Sequence, residues 1–221
     1  MGATEEKVPD MARRTKEEAA KTRARILASA LSLFAKKGYT HTTFTDIAAR
    51  LKMTKGAVYW HFESKERLLV ELVEEALVKF RRQLEELMPH GELTFPKVAD
   101  MMIQNAVQMS EDPKGAAFFR LMKCQIKWSD DSMAKVREGL LADAESGPLA
   151  AFRNAVTADI KAGRARATVN AHEVAVVAIA IWDGLVQARI DHFLTLDLEQ
   201  TLRHAYEAIW NRIRIKESNN G

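Results

Sequence analysis

Residues 43–65 read TFTDIAARLKMTKGAVYWHFESK, and this stretch predicts the fold of the chain around it. Thr43 precedes Asp46 by three residues, which is the spacing of a capping box that starts a helix. After a short turn, Thr54 offers a second N-cap and opens a helix of little more than two turns. Two short helices that meet through a tight turn are typical of the helix-turn-helix, whose second helix enters the major groove of DNA.

The charge distribution agrees with this prediction. Residues 11–67 contain 13 Lys or Arg against 5 Asp or Glu, a net charge of +8, whereas the whole chain carries +3. Residues 1–10 carry −2, so residues 68–221 carry −3. A positive field confined to the N-terminal quarter is expected of a chain in which one module faces phosphates. A solvated basic surface is the alternative interpretation.

The order and spacing of these residues resemble the N-terminal domain of the tetracycline-repressor (TetR) family of bacterial regulators. The matching positions are Gly38, Thr42, Thr43, Asp46, Ile47, Ala48, Lys55, Gly56, Val58, Tyr59, His61, Phe62, Ser64 and Lys65. The start at residues 13–19 and the run VYWHF at residues 58–62 are most similar to the multidrug-efflux repressors of this family. The turn Leu51-Lys52-Met53 departs from the Ala-Gly-Val type that the family more often has.

The resemblance implies roles for the residues of the DNA-binding surface. Lys55 and Gly56 open the recognition helix and are expected near base edges, where a glycine permits close approach of the backbone. The implied phosphate contacts are Thr43, Thr54, Tyr59, His61 and Lys65. The Lys65 ammonium is also expected near the first amides of the fourth helix. Trp60 either contacts thymine methyl groups or packs inside the domain, and Arg13 and Arg14 are expected to form an arm in the minor groove.

Length and composition predict an all-α protein of about nine helices. The chain has 221 residues, 47% of them hydrophobic, with 10 Gly and 5 Pro, and its apolar residues recur mainly with a helical period. The longest apolar run, residues 174–182, is shorter than the ~20 residues needed to cross a bilayer. Residues 1–10 lack the apolar region of a signal peptide. We therefore expect a cytoplasmic protein without membrane partners.

The predicted helix boundaries define the expected domains. They are a flexible tail at 1–12, the helix-turn-helix domain at 13–63, a connecting helix at 64–88, a ligand-binding and dimerisation domain at 89–216 and a short tail at 217–221. Helix one is expected at 16–37, helix six at 114–128, and the last two helices at 171–194 and 198–215. The connecting helix is expected to be the only link between the effector pocket and the recognition helix.

The last two helices are candidates for a dimer interface. Helix eight is apolar on every side over residues 174–182, so it needs cover all round. Helix nine offers an apolar stripe for the same purpose, consisting of Leu198, Leu202, Ala205, Ile209 and Ile213. The resemblance implies a homodimer held by a four-helix bundle of these helices, which would match a palindromic DNA operator. A monomer whose last helices complete the core is the alternative.

A set of residues in the C-terminal domain is predicted to line a pocket for a small, largely apolar effector, since Met and aromatic side chains adapt to varied ligands. The set is Met101, Met102, Asn105, Met109, Phe118, Met122, Gln125, Trp128, Phe152, Trp182, Asp183 and Gln187. Asp183 is the preferred polar contact, and a hydrophobic cation or planar aromatic compound is the preferred ligand. The alternative for the apolar residues is that they simply form the hydrophobic core. The alternative for Asp183 is a hydrogen bond in helix packing or in a dimer interface. For Gly184 the alternative is close packing between helices.

Other chemistry is not indicated by the sequence. Six histidines occur without a His-x-x-x-His pair, so neither a metal nor a cofactor is expected. Cys124 is predicted to be a small buried apolar residue. The sequence thus predicts a ligand-responsive repressor that leaves double-stranded DNA when its effector binds, and not an enzyme. An activator of the same fold and a small-molecule receptor that does not bind DNA are the alternatives.

Overall fold

The computed structural model describes residues 8–87, 93–134, 137–138, 147–193, 195 and 197–215, with the backbone alone for residues 8–15, 87 and 132. Nine α-helices lie in these ranges: α1 (Val8–Lys37), α2 (Phe44–Leu51), α3 (Lys55–His61), α4 (Lys65–Leu87), α5 (Phe95–Glu111), α6 (Pro113–Arg120), α7 (Pro148–Lys161), α8 (Ala171–Ile190) and α9 (Leu198–Ile213). The predicted all-α class is confirmed. In the same ranges, the only β pairing is an isolated bridge between Ala165 and Arg214.

The first helix begins earlier than predicted, at Val8 instead of residue 16. Pro9 lies in its first turn, where the missing N–H costs nothing because that turn has no acceptor for it. The predicted flexible tail therefore overlaps α1 at residues 8–12, while residues 1–7 lie outside the described part of the chain. The apolar face predicted for this helix is buried against α2, α3 and the start of α4, and consists of Ile26, Ala30, Leu33 and Phe34.

The connecting helix α4 has the predicted start. Ser64 caps it, since the Arg67 N–H donates to Ser64 Oγ at 3.1 Å. The helix has 23 residues and is about 35 Å long at ~1.5 Å per residue. Leu69 near its start is buried in the N-terminal core, and Phe80 two to three turns later is buried in the C-terminal core. The helix therefore connects the two hydrophobic cores.

The expectation that α4 is the only connection is wrong. The α-helix of α6 ends at Arg120, not at residue 128, and a π-helical turn, Leu121–Gln125, follows. Leu121, Ile126 and Met133 are buried in the core formed by α1–α4. This segment continues from α6, which itself packs against α1. A second route therefore joins the two domains.

The C-terminal core is built by α5, α7, α8 and α9. Asp159 on α7 is fully buried there, where its carboxylate accepts the Phe95 N–H at 2.8 Å and the Arg164 Nε–H at 2.7 Å. Thr94 makes no side-chain cap bond to α5, so a distant carboxylate satisfies this helix start. The arrangement ties the start of α5 to the end of α7.

The last two helices differ from the prediction in which faces they expose. In the stripe predicted on α9, Leu198, Leu202 and Ile213 are buried in the core of their own chain, while Ala205 and Ile209 are half-buried. On α8, by contrast, Val176 and Val177 are 45% and 48% exposed. Gly184, two turns further along α8, is also exposed, and a Cβ built on it would meet no atom within 4 Å. Close helix packing within the chain is therefore not the reason for this glycine.

Candidate nucleic-acid interface and effector region

The predicted capping box at the start of α2 is formed. The Asp46 N–H donates to Thr43 Oγ1 at 3.2 Å, and the Thr43 N–H donates to Asp46 Oδ2 at 2.9 Å. The Lys37 ammonium lies 2.5 Å from Asp46 Oδ1. This hydrogen bond, followed by those from Thr43, lowers the pKa of Asp46 to about 2. The carboxylate is thus ionised but paired, so its repulsion of a nearby phosphate is reduced.

The turn between α2 and α3 is made without glycine. Lys52 adopts the left-handed conformation, with φ of 56°, and its N–H bonds back to the carbonyls of Ala48 and Ala49. This conformation normally favours glycine because a Cβ strains it. The departure from the family sequence therefore changes the residue at this turn and leaves the helix-turn-helix geometry intact.

The predicted recognition helix α3 exposes most of its side chains. Thr54 caps it by accepting the Ala57 N–H at 3.1 Å, and Val58 is its one fully buried side chain. Tyr59 is 49% exposed and Trp60 75% exposed. The exposure of Trp60 excludes the packing role that the sequence left open, because a packed indole would be buried. A flat aromatic group therefore projects from the helix into solvent.

Gly56 lies at the start of α3 with free space around it. A Cβ built on this residue would meet only Thr54 Oγ1, at 3.9 Å, and its φ is not in the left-handed region. Neither folding strain nor crowding within the chain therefore requires glycine here. The neighbouring Lys55 ammonium lies 5.5 Å from the centroid of the Tyr59 ring, and that ring packs edge-on against Phe44 with centroids 4.9 Å apart.

Arg23 organises this domain, a role that the sequence did not predict. From α1 its guanidinium bonds both carboxylate oxygens of Glu71 on α4, with Nε 2.5 Å from Oε1. It also donates to the backbone carbonyl of His61 at the end of α3, and it lies 4.2 Å from the centroid of the Phe62 ring. The sequence around Arg23 gives no sign of such a role, because Arg23 is one of many basic residues in this domain. Its contacts connect α4 directly to the end of α3.

His61 is predicted to contact phosphate, and its surroundings favour the neutral ring. Partial burial lowers the pKa of this histidine, and the nearby Arg23 charge lowers it further. The Trp60 and His61 rings meet edge-to-face with centroids 4.6 Å apart.

Lys65 is held by contacts within its own domain. Its ammonium donates to the carbonyl oxygens of Tyr39 at 2.8 Å, Thr40 at 3.3 Å and Thr42 at 3.3 Å. It also lies 4.4 Å from the Tyr39 ring centroid, and burial lowers its pKa. An ammonium has three donors, and here all three serve backbone carbonyls. Lys65 therefore joins α4 to the loop between α1 and α2, and its phosphate contact stays a prediction. Arg13 and Arg14 lie in α1, where only the backbone is described.

The predicted effector-pocket residues divide between the two cores. Met102, Phe152 and Trp182 belong to the C-terminal core, with Met101 and Met109 packed against it. Phe118, Met122 and Trp128 instead pack against the N-terminal core. The indole N–H of Trp182 donates to the Met102 carbonyl at 2.8 Å, which is typical of a structural tryptophan. The residues thus lie on neighbouring elements but are divided between the two cores.

The polar members of this set have different surroundings. Asp183 is paired with Lys123, the ammonium lying 2.6 Å from Oδ2, so it is not an isolated acid among apolar residues. Gln187 bonds the Asp191 carboxylate, and Asn105 is half-buried. Gln125 Oε1 is buried and has no hydrogen-bond partner among the described residues. Gln125 therefore offers an acceptor that a bound ligand can satisfy.

The prediction that Cys124 is buried is wrong. The residue is exposed in the π-helical turn, and its thiol lies 3.6 Å from Gln187 Oε1. The prediction assumed a position in the middle of a regular helix among apolar neighbours, whereas the α-helix of α6 ends at Arg120.

Three cavities of the described structure lie away from these residues. A cavity of about 210 Å³ lies between α5 and α9, and a cavity of about 590 Å³ lies between α6 and the helices α1 and α2. A third cavity, of about 410 Å³, lies beside Arg212. None of the twelve predicted pocket residues lines these three cavities. Within the described ranges no cluster of His, Cys, Asp and Glu is suited to hold a metal, and no helix is long and apolar enough to cross a membrane.

Several known proteins resemble this chain in sequence or in fold. TtgR of Pseudomonas putida, an HTH-type transcriptional regulator, is 29% identical over 185 residues, which are 80% of this chain and 84% of TtgR. AcrR of Shigella flexneri is 47% identical over 64 residues, covering 29% of this chain and 30% of AcrR. The solved structure of SmeT with triclosan has a TM-score of 0.75 at 23% identity, covering 89% of this chain and 93% of SmeT, and thus shares the fold.

NalD of Pseudomonas aeruginosa also shares the fold, with a TM-score of 0.73 at 20% identity over 91% of this chain and all of NalD. At the N-terminus, residues 26–72 fit the model of bacterial regulatory proteins of the tetR family. These residues include the capped helices α2 and α3 described above. Residues 26–72 therefore form a DNA-binding domain of the tetR family, and over most of its length the chain is similar to transcriptional regulators of that family.

Proposed function

We propose that this protein is a ligand-responsive repressor that binds a palindromic operator as a homodimer and leaves it when a largely apolar effector binds the C-terminal domain. The observation that supports this most directly is α3, a short capped helix that exposes Tyr59 and Trp60 beside Lys55 within a domain of net positive charge. Solvent-exposed aromatic groups on a basic surface suit contact with base edges and phosphates. The relatives of this chain include a probable acrEF/envCD operon repressor of Escherichia coli, 26% identical over 190 residues.

Homodimerisation is supported by the exposed face of α8. Val176, Val177, Ala180 and Gly184 are exposed on this helix, whose remaining apolar residues pack into the core. Small residues let two helices approach closely, and burial of exposed valines stabilises association. A second copy related by a twofold axis would cover this face and set two recognition helices on one side of the DNA.

Two elements are suited to carry the effector signal. Arg23 bonds both Glu71 on α4 and the His61 carbonyl at the end of α3, so movement of α4 would shift the hydrogen bond that holds the end of α3. Through Leu121 and Ile126, movement of the segment after α6 changes the packing of the N-terminal core. Effector binding that favours a different placement of these elements would lower operator affinity by a population shift.

The effector is proposed to be a planar aromatic compound without a positive charge. Lys123 already neutralises Asp183, so a cationic ligand would have to displace an existing ion pair. The buried Gln125 acceptor favours a ligand with a hydroxyl or N–H donor. Triclosan, the compound bound in the SmeT structure, is an aromatic phenol and is therefore a suitable probe.

The test is fluorescence anisotropy with labelled DNA from upstream of the protein's own gene. If a dimer neutralises roughly 6–10 phosphates, the affinity should fall by roughly 10³–10⁵ between about 50 and 200 mM salt. Lys55→Ala should weaken binding and relax base preference, whereas Lys161→Ala, an exposed basic residue on α7, should leave both unchanged. Binding that does not distinguish this DNA from a scrambled duplex would contradict the proposal.

The same assay measures the response to ligand. Triclosan added to the complex should release the DNA, with a change in operator affinity of roughly 5–150-fold, and DNA should weaken triclosan binding by the same factor. An operator affinity that is insensitive to triclosan and to other neutral planar phenols would contradict the proposed effector class.

A further inference from the structure

A cleft at the junction of the two domains has no role in the function proposed above. Its walls come from α1, from the end of α2 and from the first turn of α6, and its volume is about 590 Å³. This volume is within the range of small-molecule sites. The apolar part of the lining consists of Ala28, Leu31, Ala35, Leu51, Pro113 and Ala117.

The charged part of the lining has one sign. Four cationic residues line the cleft, namely Arg25, Lys36, Arg50 and Lys114, and no acid does. Within the described ranges, none of these four side chains forms an ion pair with a carboxylate. Arg25 and Lys36 lie on the face of α1 that also carries Ser29 and Ser32, at helical spacing. The cleft therefore concentrates positive charge from both domains around an apolar surface.

Ser29 is the second observation that indicates a ligand. The residue lines the cleft and is only 6% exposed, yet its hydroxyl has no hydrogen-bond partner among the described residues. Buried polar groups in native proteins nearly always have a partner, so an unpaired one calls for an explanation. A serine hydroxyl can donate to an oxyanion that enters the cleft.

We propose that this cleft is a second ligand site, which binds a small organic anion with an aromatic or aliphatic body. The carboxylate accepts hydrogen bonds from Ser29 and from the surrounding cations, and the body packs on the apolar wall. An inorganic anion would leave that wall uncovered, and an organic cation would be repelled by the four basic residues. Since α1 and α2 belong to one domain and α6 to the other, the bound anion bridges the two.

Isothermal titration calorimetry on the full chain without DNA tests this proposal, with naphthalene-2-carboxylate as the probe and naphthalene-2-carboxamide as its neutral counterpart. The carboxylate should bind at least about tenfold more tightly than the carboxamide, because charge-assisted hydrogen bonds are stronger than neutral ones. Added salt should reduce this preference.

Variants locate the site. Ser29→Ala should weaken carboxylate binding by about tenfold while keeping or raising the melting temperature, because it removes an unpaired buried hydroxyl. The double variant Arg25→Gln, Lys114→Gln should abolish the preference for the carboxylate, whereas the matched control Lys161→Gln on α7 should retain it. Equal binding of the two probes, or wild-type carboxylate affinity in both cleft variants, would overturn the proposal. Since no DNA and no triclosan are present, such a result leaves the proposed repressor function untouched.

Discussion

Replacing Gly56 by alanine separates what the folded protein needs from what DNA binding needs. The added methyl group would meet only Thr54 Oγ1, at an ordinary contact distance of 3.9 Å. Alanine also favours helices over glycine by about 0.5–1 kcal/mol. Since 1 kcal/mol shifts the melting temperature of a chain of this size by roughly 2–4 °C, Gly56→Ala should raise it by about 1–4 °C.

Operator binding should change in the opposite direction. If Gly56 allows the start of α3 to approach the DNA closely, a methyl group in that interface costs about 1–3 kcal/mol, as overpacking does elsewhere. The operator affinity should then fall by roughly 5–150-fold, measured by fluorescence anisotropy at fixed salt. The control is Ala57→Gly, which alters helix stability next to Gly56 without adding bulk, and it should change the affinity much less. Wild-type operator affinity in Gly56→Ala, with the expected gain in melting temperature, would refute the proposed close approach.

Three further results are expected. Lys65→Ala should lower the free energy of unfolding in urea by about 1–3 kcal/mol, since three carbonyls lose their donor; an unchanged urea midpoint would contradict this structural role of Lys65. Val177→Asp should give a monomer in analytical ultracentrifugation and weaken operator binding, and a persistent dimer would contradict the α8 interface. Gln125→Ala should raise the triclosan concentration needed for half-release of the DNA by about 5–10-fold. Asp183→Asn should change that concentration by less than about fivefold, because exposed ion pairs contribute about 1 kcal/mol or less. A larger effect of Asp183→Asn than of Gln125→Ala would favour Asp183 as the ligand contact.

The local structure of the DNA-binding domain could be predicted from the sequence because its signals are short-range. The cap at Thr43 depends on a residue three positions away, and the cap at Thr54 likewise lies within one helical turn. The buried face of α1 follows from helical periodicity alone. Each of these features can be predicted from residues that are close to one another in the sequence.

The roles of the charged residues could not be predicted because their partners are distant in sequence. Lys65 bonds carbonyls some 25 positions away, and Arg23 bonds Glu71 across 48 positions. The resemblance to a family assigns a chemical type to such a position but not the acceptor that the folded chain supplies. Asp183 shows the same difficulty, since nothing in its own helix reveals Lys123 as its partner.

The effector region was predicted less well, because long-range packing decides which of the two cores its residues join. Phe118 lies on α6 before the π-helical turn, Met122 lies in that turn and Trp128 follows it, yet all three pack against the N-terminal core. Helical periodicity predicts that a helix has an apolar face, but it does not reveal which neighbouring element covers that face.

The burial of Leu121, Ile126 and Met133 beneath the DNA-binding helices also has a practical consequence for protein engineering. A fragment that stops at the end of α4 would retain every residue of the helix-turn-helix and yet lack part of its hydrophobic core. Such a fragment would expose apolar surface on α1 and would be prone to aggregation. A chimera that grafts this DNA-binding domain onto another sensor should therefore carry residues 113–133 with it, or replace them with a segment of matching shape.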